Sequence, residues 1–329
     1  AWKALAARVC LGTRREAAPV VLVPDNPGNP RHGSGGRTPL RLLSLNACIL
    51  VKGAGFAATG DDRKEERLRY FVTMFAEYDI VLLQEVWGCW WGKLTGFYAA
   101  CREAGWYVVH SRVGLLMNCG NVILSRFPVV SASAMTFKTT GGWQRLLSNG
   151  VLHASVTVCG QAVHLFTTHL QSETVPYQSP LNQSARAIRR GQLCEMKRFV
   201  EHAVAGHDHW FVCGDFNIEG GLHSEEYALL CTTWGQPSVL EALGFPASYN
   251  TRSFLAPMGW RNIDYDACLD HVFTSLSRPV ARVLTQPDIS DHFPVVILCS
   301  VPAATSQING GSRARPESRA AHAWHRRGR

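Results

Sequence analysis

Between residues 40 and 302 short, β-branched apolar runs alternate with polar or glycine punctuation. The runs are Leu40 to Leu45, Ile80 to Leu83, Val122 to Leu124, Val151 to Val158, Val163 to Thr168, Trp210 to Cys213, Leu269 to Phe273 and Val295 to Val301. Runs this short, bounded by turn formers, predict strands. A helical period shows twice. Leu68, Phe71, Val72 and Phe75 share one face of Arg63 to Tyr78, and Ile188, Leu193, Met196 and Val200 share one face of Arg186 to Ala203. Many strands, few helices and no strict strand-helix alternation predict a strand-rich, layered α+β domain of about 260 residues.

The pattern also sets boundaries. Residues 24 to 38 are dense in Pro, Gly, Asn and Ser with no hydrophobic period, so 1–39 reads as a flexible N-terminal segment and the folded domain as 40–302. Beyond it, 303–329 is rich in Gly, Ser, Ala and Arg and reads as a basic disordered tail. No apolar stretch approaches the ~18 residues of a membrane-spanning helix. The chain starts at Ala1 without an initiator methionine or a readable secretory signal, as a fragment or a processed form would.

Composition excludes some classes. With 46% apolar and 18% charged residues the chain is neither disordered nor a coiled coil. Its net charge of +8 is carried by the ends: residues 1 to 40 hold +4, 303 to 329 hold +5, and the domain between them −1. A protein that grips a nucleic-acid backbone places cations on the folded face that does the gripping, so nucleic acid is the less favoured partner. The 11 cysteines are scattered singly, with no C-x-x-C pair. That argues against a disulfide framework or zinc site and for a reducing compartment such as the cytoplasm.

Chemistry enters at the strand ends. Asn46 follows one run, Glu85 another, His169 a third and Asp215-Phe216-Asn217 a fourth, while Asp291-His292 precedes the last. Singly, Asn46 also reads as a turn former and His169 as a core histidine, like His153, His164 and His271. Asp215 and Asn217, two apart on an extended chain, point to one side. If these ends converge on one rim, they assemble a metal-binding carboxylate, two imidazoles and further oxygen ligands, the equipment for metal-assisted hydrolysis of a phosphoester.

Five segments in order, Leu45-Asn46, Gln84-Glu85-Val86, Thr168-His169-Leu170, Gly214-Asp215-Phe216-Asn217 and Ser290-Asp291-His292, resemble the endonuclease/exonuclease/phosphatase superfamily of Mg²⁺-dependent phosphoesterases. Within it the chain looks most like the neutral sphingomyelinases, through Gln84-Glu85-Val86-Trp87, the stretch from Gly120 to Pro128, and Arg190-Gly191-Gln192-Leu193. The resemblance implies a four-layer αββα sandwich of two mixed β-sheets flanked by helices, with the site at one rim. It implies Mg²⁺, with Mn²⁺ as the alternative ion, held by Glu85 with Asn46 and Asp291. It makes His292 the general base, oriented by Asp270 and neutral near pH 7 as an ordinary imidazole would be. His169 would donate to the phosphoryl group, Asp215 and Asn217 would orient phosphate, nucleophile or a second metal, and Asn121 and Asn149 would contact substrate.

The implied substrate is a phospholipid, sphingomyelin, cleaved to ceramide and phosphocholine. Asn149 stands where many sphingomyelinases carry lysine, and the hydrophobic segments of the mammalian neutral enzymes are absent from the sequence, so bilayer contact would be peripheral. The candidates for it are Trp87, Trp90 and Trp91, and the tail with Trp324. Competing readings are a nuclease or an inositol-phosphate phosphatase with the same machinery, and a non-catalytic binding module.

Overall fold

A computed structural model describes residues 18–27, 37–49, 62–87, 93–111, 120–141, 149–173, 183–206, 208–221, 225–256 and 267–303. The strands are β1 (Val20–Leu22), β2 (Arg37–Ile49), β3 (Ile80–Val86), β4 (Tyr107–His110), β5 (Val122–Ser125), β6 (Val129–Thr136), β7 (Gly150–Val158), β8 (Gln161–His169), β9 (His209–Asp215), β10 (Asp270–Thr274), β11 (Val280–Val283) and β12 (Val295–Pro302). The helices are α1 (Lys64–Met74), α2 (Lys93–Glu103), α3 (Gln183–Ala203) and α4 (Glu225–Trp234). One sheet has seven strands in the order β1-β4-β5-β3-β2-β12-β11, and the other has five in the order β10-β9-β8-β7-β6.

Side-chain alternation along each strand builds the layers. Leu40, Leu42, Ile80, Leu82 and Ile123 of the first sheet meet Leu152, Ala154, Val163, Leu165, Phe211 and Cys213 of the second in one buried cluster between the sheets. The opposite face of the first sheet, with Leu43, Leu45, Val81 and Leu83, is covered by Leu68, Phe71 and Phe75 and by Leu94, Phe97 and Cys101 of α2. The opposite face of the second packs against Leu193, Met196 and Val200 of α3 and Tyr227 and Leu230 of α4. The result is the four-layer α+β sandwich that the resemblance implies.

Local chemistry starts α1. The Lys64 amide donates to Asp62 Oδ1 at 3.2 Å, and Glu65 and Glu66 lie in the first turn, where negative charge favours the helix dipole. The buried face of α3 differs from the apolar stripe read from sequence. Ile188 is only half-buried, while Arg189 and Gln192 are fully buried beside Leu193 and Met196. Arg189 is satisfied there by Glu226, at 2.9 and 2.7 Å, by Glu173 at 2.9 Å and by the Gln171 carbonyl at 3.1 Å.

Two departures concern the N-terminal stretch. Val20–Leu22 pairs antiparallel with β4, and β2 begins at Arg37; both lie inside the 1–39 stretch that the sequence reads as flexible. A three-residue edge strand carries too little pattern to stand out from sequence. Residues 304–329, including the basic tail and Trp324, lie outside the described residues. Among the described residues no helix is long and apolar enough to cross a membrane.

His153, His164 and His271 are buried, as core histidines are. Ser133, His153, His164 and Asp208 form a row across the outer face of the five-stranded sheet, with links of 3.0 Å (Oγ to Nδ1), 3.0 Å (Nε2 to Nδ1) and 3.1 Å (Nε2 to Oδ2). Burial pushes His153 and His271 down to about 4, with the neighbouring His164 adding to the effect at His153. In the unfolded chain both protonate near ~6.5. The unfolded state therefore binds more protons between these values, so the stability they contribute is present above pH ~6.5 and is lost as pH falls toward about 4. Each histidine should remove on the order of 2 kcal/mol of stability between pH 7 and pH 5. Denaturant unfolding at the two pH values should show this loss, smaller in His153→Gln; an equal loss in both proteins would contradict it.

Candidate active site

Strand direction gathers the polar ends. β8 and β9 run parallel, and β10 runs antiparallel to β9, so His169, Asp215 and Asp270 stand side by side in one register row. In the facing sheet β2 and β3 run parallel, pairing Asn46 with Gln84. β12 runs antiparallel to β2, which brings the turn before it, with Asp291 and His292, to the same rim. Asn46, His169, Asp215 and Asp270 continue the alternation that buries Leu42, Leu165, Cys213 and Val272 between the sheets. The site is the polar end of the inter-sheet core.

Three non-glycine residues there take left-handed backbone: Cys48 (φ 48°), Glu85 (φ 54°) and Asn217 (φ 52°). Such conformations are rare for residues with a Cβ and cluster at functional sites. At Glu85 the left-handed turn interrupts alternation, so two successive residues, Gln84 and Glu85, both serve the rim: Gln84 donates to Thr167 Oγ1 at 2.8 Å and Glu85 accepts from Asn46 at 3.1 Å. Gly214 has φ 147°, and a Cβ there would lie 2.1 Å from the Thr168 carbonyl oxygen, so only glycine lets β9 approach β8 just before Asp215.

The Asn46 side-chain amide spans both sheets, donating to Glu85 Oε1 at 3.1 Å and Asp215 Oδ2 at 3.0 Å. Its Oδ1 accepts from the Cys48 amide at 3.1 Å. His169 lies between the same carboxylates, with Nδ1 3.6 Å from Glu85 Oε1 and Nε2 3.5 Å from Asp215 Oδ2. His292 Nδ1 meets Asp270 Oδ2 at 2.7 Å, and Nε2 lies 3.5 Å from Asp215 Oδ2. Asp215 Oδ1 accepts from the Asn217 amide at 2.9 Å, and Asn217 Nδ2 donates to the Leu170 carbonyl at 3.2 Å.

The electrostatics follow from burying like charges together. Burial pushes the Glu85 carboxyl up, with Asp291 adding to the rise and His169 opposing it. Burial also pushes Asp270 up, against the pull of His292. For His292, burial disfavours the charged ring, but Asp270 and Asp215 outweigh it and raise the imidazole to about 10. Without a cation in the cluster, the surrounding carboxylates thus favour the protonated ring. Asp291 is half-buried, with Oδ1 3.4 Å from Ser290 Oγ.

The donor set fits a hard divalent cation. Carboxylate oxygens predominate, Glu85 keeps 18% side-chain exposure, and the cluster holds negative charge that an ion would offset. Among the described residues no three His, Cys, Asp or Glu side chains form a ready metal cage. Mg²⁺ binds through one or two carboxylates and keeps several waters, so it needs no such cage.

The sequence pattern of the endonuclease/exonuclease/phosphatase family matches residues 50–292. The chain belongs to this family. A sphingomyelinase of Dictyostelium discoideum is 24% identical over 183 residues, which cover 47% of this chain and 40% of that protein. The curated relatives are matched over 31% to 41% of their own lengths, so the chain spans less than half of each. Sphingomyelinase C from Streptomyces griseocarneus superposes with a TM-score of 0.61 at 19% identity, covering 80% of this chain and 99% of that one. A Staphylococcus aureus beta toxin variant with bound magnesium ions superposes with a TM-score of 0.62 at 17% identity, covering 80% of this chain and 100% of that one. These superpositions show the shared fold.

The fold brings together Asn46, Glu85, His169, Asp215, Asn217, Asp270, Asp291 and His292. Asn121 is buried at the start of β5; its Nδ2 donates to the Gly150 and Thr167 carbonyls at 3.0 and 3.3 Å, and its Oδ1 is buried without a hydrogen-bond partner among the described residues. Asn149 is also buried, just before β7. Trp87 is buried, while Trp90 and Trp91 lie outside the described residues.

Sequence reasoning gave no role to Ser248 and Tyr249, and none to the Ser290 hydroxyl, which hold the others in place. Ser248 Oγ accepts from the Leu269 and Asp270 amides, both at 3.0 Å. The Tyr249 ring packs edge-on against the His292 ring, centroids 5.1 Å apart. Ser290 Oγ donates to the Asn46 carbonyl at 2.6 Å and accepts from the His292 amide at 3.2 Å. Small hydroxyls and a lone tyrosine carry no spacing that announces such roles.

Asp270 is the first neighbour raising His292, so Asp270→Asn should return its titration in the metal-free protein from about 10 toward the ordinary ~6.5. Because the folded value lies above the unfolded one, the stability this histidine contributes is full below pH ~6.5 and is lost as pH rises through about 10. NMR titration of the His292 ring in both proteins checks this, and an unchanged midpoint would exclude Asp270 as the controlling charge.

Proposed function

We propose that the protein is a divalent-metal-dependent phosphodiesterase that hydrolyses sphingomyelin to ceramide and phosphocholine. The observation that carries the reading is the His292 ring, fixed by Asp270 through Nδ1 at 2.7 Å with Nε2 turned to the Asp215 side of the cluster. That is the geometry of an oriented general base. The sphingomyelinase relatives and the magnesium-bearing neighbour support the choice of lipid and of ion.

Glu85 and Asp291 would hold the ion, with Asn46 fixing the orientation of Glu85. When bound, Mg²⁺ supplies positive charge that offsets the carboxylates and polarises a non-bridging phosphoryl oxygen. Asp270 orients His292 so that neutral Nε2 can take a proton from the attacking water. The water oxygen forms a bond to phosphorus as the bond to the ceramide oxygen breaks; the departing oxygen takes a proton from solvent water, and His292 returns the proton it took to solvent. His169 donates to the phosphoryl group, which neutralises charge as it builds. Asp215 and Asn217 orient the phosphate and the water, while the buried Asn121 amide, spent on the Gly150 and Thr167 carbonyls, supports the strands behind them instead of contacting substrate. One displacement without a covalent intermediate inverts phosphorus. Contact with the bilayer is peripheral on this reading.

Purified protein mixed with sphingomyelin vesicles should release phosphocholine with Mg²⁺ and not in excess chelator. Glu85→Ala should abolish turnover, and His292→Ala should lower kcat by about a thousandfold, within the range of general base catalysis. Turnover in chelator would rule out the mechanism, and plasmid nicking faster than lipid cleavage would make the protein a nuclease.

A further inference from the structure

Arg67, on α1, is 4% exposed, and among the described residues none of its hydrogen bonds goes to a carboxylate. Its guanidinium is spent on backbone oxygens. Nε donates to the Ile289 carbonyl at 2.7 Å, Nη1 to those of Cys48 at 3.1 Å and Asp62 at 3.4 Å, and Nη2 to that of Ala47. Ala47 and Cys48 lie in the irregularity where the β2 and β3 register shifts between Asn46 and Ile49, and Cys48 is left-handed. A bulge leaves carbonyls that the ladder does not pair, and a buried carbonyl must find another donor. Ile289 lies three residues before His292 on a different strand connection. One rigid, planar fork therefore clamps the turn after Asn46 to the turn before His292, and the Ser290 Oγ bond to the Asn46 carbonyl ties the same two turns a second time.

We propose that Arg67 is the positioning residue that sets Asn46 and Glu85 against Asp291 and His292, so that the ion site and the base keep a fixed separation. The inference rests on the phosphodiesterase reading for its consequence in catalysis, but its primary consequence is metal affinity. Arg67 does not touch the ion. It acts through Asn46 and Asp291, as outer residues around a metal do when they hold its ligands in place. Lysine cannot substitute: a single ammonium group presents three donors from one point and cannot reach carbonyls on both turns with the spread of a fork.

The test uses the full chain, wild type, Arg67→Lys and Arg67→Ala, with Mg²⁺ affinity measured by calorimetry and turnover measured on sphingomyelin vesicles. Folded Arg67→Lys should bind Mg²⁺ about tenfold more weakly, within the range for ligand-orienting residues, and lose kcat with KM little changed. Millimolar guanidinium should restore the affinity of Arg67→Ala, and methylammonium should not. Wild-type affinity in folded Arg67→Lys overturns the proposal. Should neither variant fold, hydrogen exchange on the wild type decides: Mg²⁺ should protect 46–49 and 288–292 together, and protection of one stretch alone overturns the proposal. Wild-type protein that binds Mg²⁺ but leaves sphingomyelin intact would end the substrate reading, and the variants' affinities would still decide the role of Arg67. Absence of Mg²⁺ binding by the wild type would overturn both.

Discussion

Like charge held in a dry space is the constraint on which the rest of the structure depends. Glu85, Asp215 and Asp270 are drawn to one rim with Asp291 beside them, and no protein interior accepts that without compensation. The compensation is visible atom by atom. The Asn46 amide divides its two protons between Glu85 and Asp215, His169 stands between the same pair, and the His292 ring stands between Asp270 and Asp215. Remove the sheet packing that aligns these strands and the carboxylates have no reason to remain together. The apolar inter-sheet core is thus a condition of the chemistry as well as of the fold.

Architecture converts alternation into a site. Each strand that buries Leu42, Leu165 or Cys213 between the sheets delivers its last inward position to the rim, so polar residues at those positions must converge. Alternation alone cannot deliver Glu85, which follows an inward Gln84. The left-handed backbone at Glu85 supplies the missing turn, while Asn217 uses the same device to bring its amide back to the Leu170 carbonyl. Strain at these positions is held by neighbouring hydrogen bonds, such as Val86 to Gly120 at 2.8 Å and Trp87 to Ile49 at 3.0 Å.

Legibility from sequence followed the strength of the local pattern. The eight apolar runs all became strands, because each contributes inward-facing apolar side chains to a buried cluster. β1, β4 and β11 are three or four residues long, and β6 is an edge strand of small residues, Ser131 to Ala134, that need bury little. α2 and α4 stayed silent because Gly96 and the adjacent Thr232 and Thr233 dilute their helical period. The site residues were legible because chemistry restricts them to His, Asp, Glu and Asn at strand ends. Arg67 was not. A charged residue on the second turn of a helix reads as solvated, and only the fold shows that it faces inward to carbonyls contributed from far along the chain.

The same charge arithmetic bears on why a site of this kind calls for a cation. A phosphodiester is an anion, and a rim rich in carboxylates repels it. The folded domain as a whole is close to neutral, with −1 over residues 41 to 302, so no general positive field draws an anion in. The carboxylates favour a positive charge on His292, yet the proton that makes this ring attractive to a phosphate is the one it must lack to act as a base. The two demands cannot be met by one ring at one time. Extra positive charge at the open, Glu85 side of the cluster resolves the conflict, because it favours the incoming anion and the neutral ring together. On the reading proposed above, metal dependence therefore accords with how these carboxylates are packed.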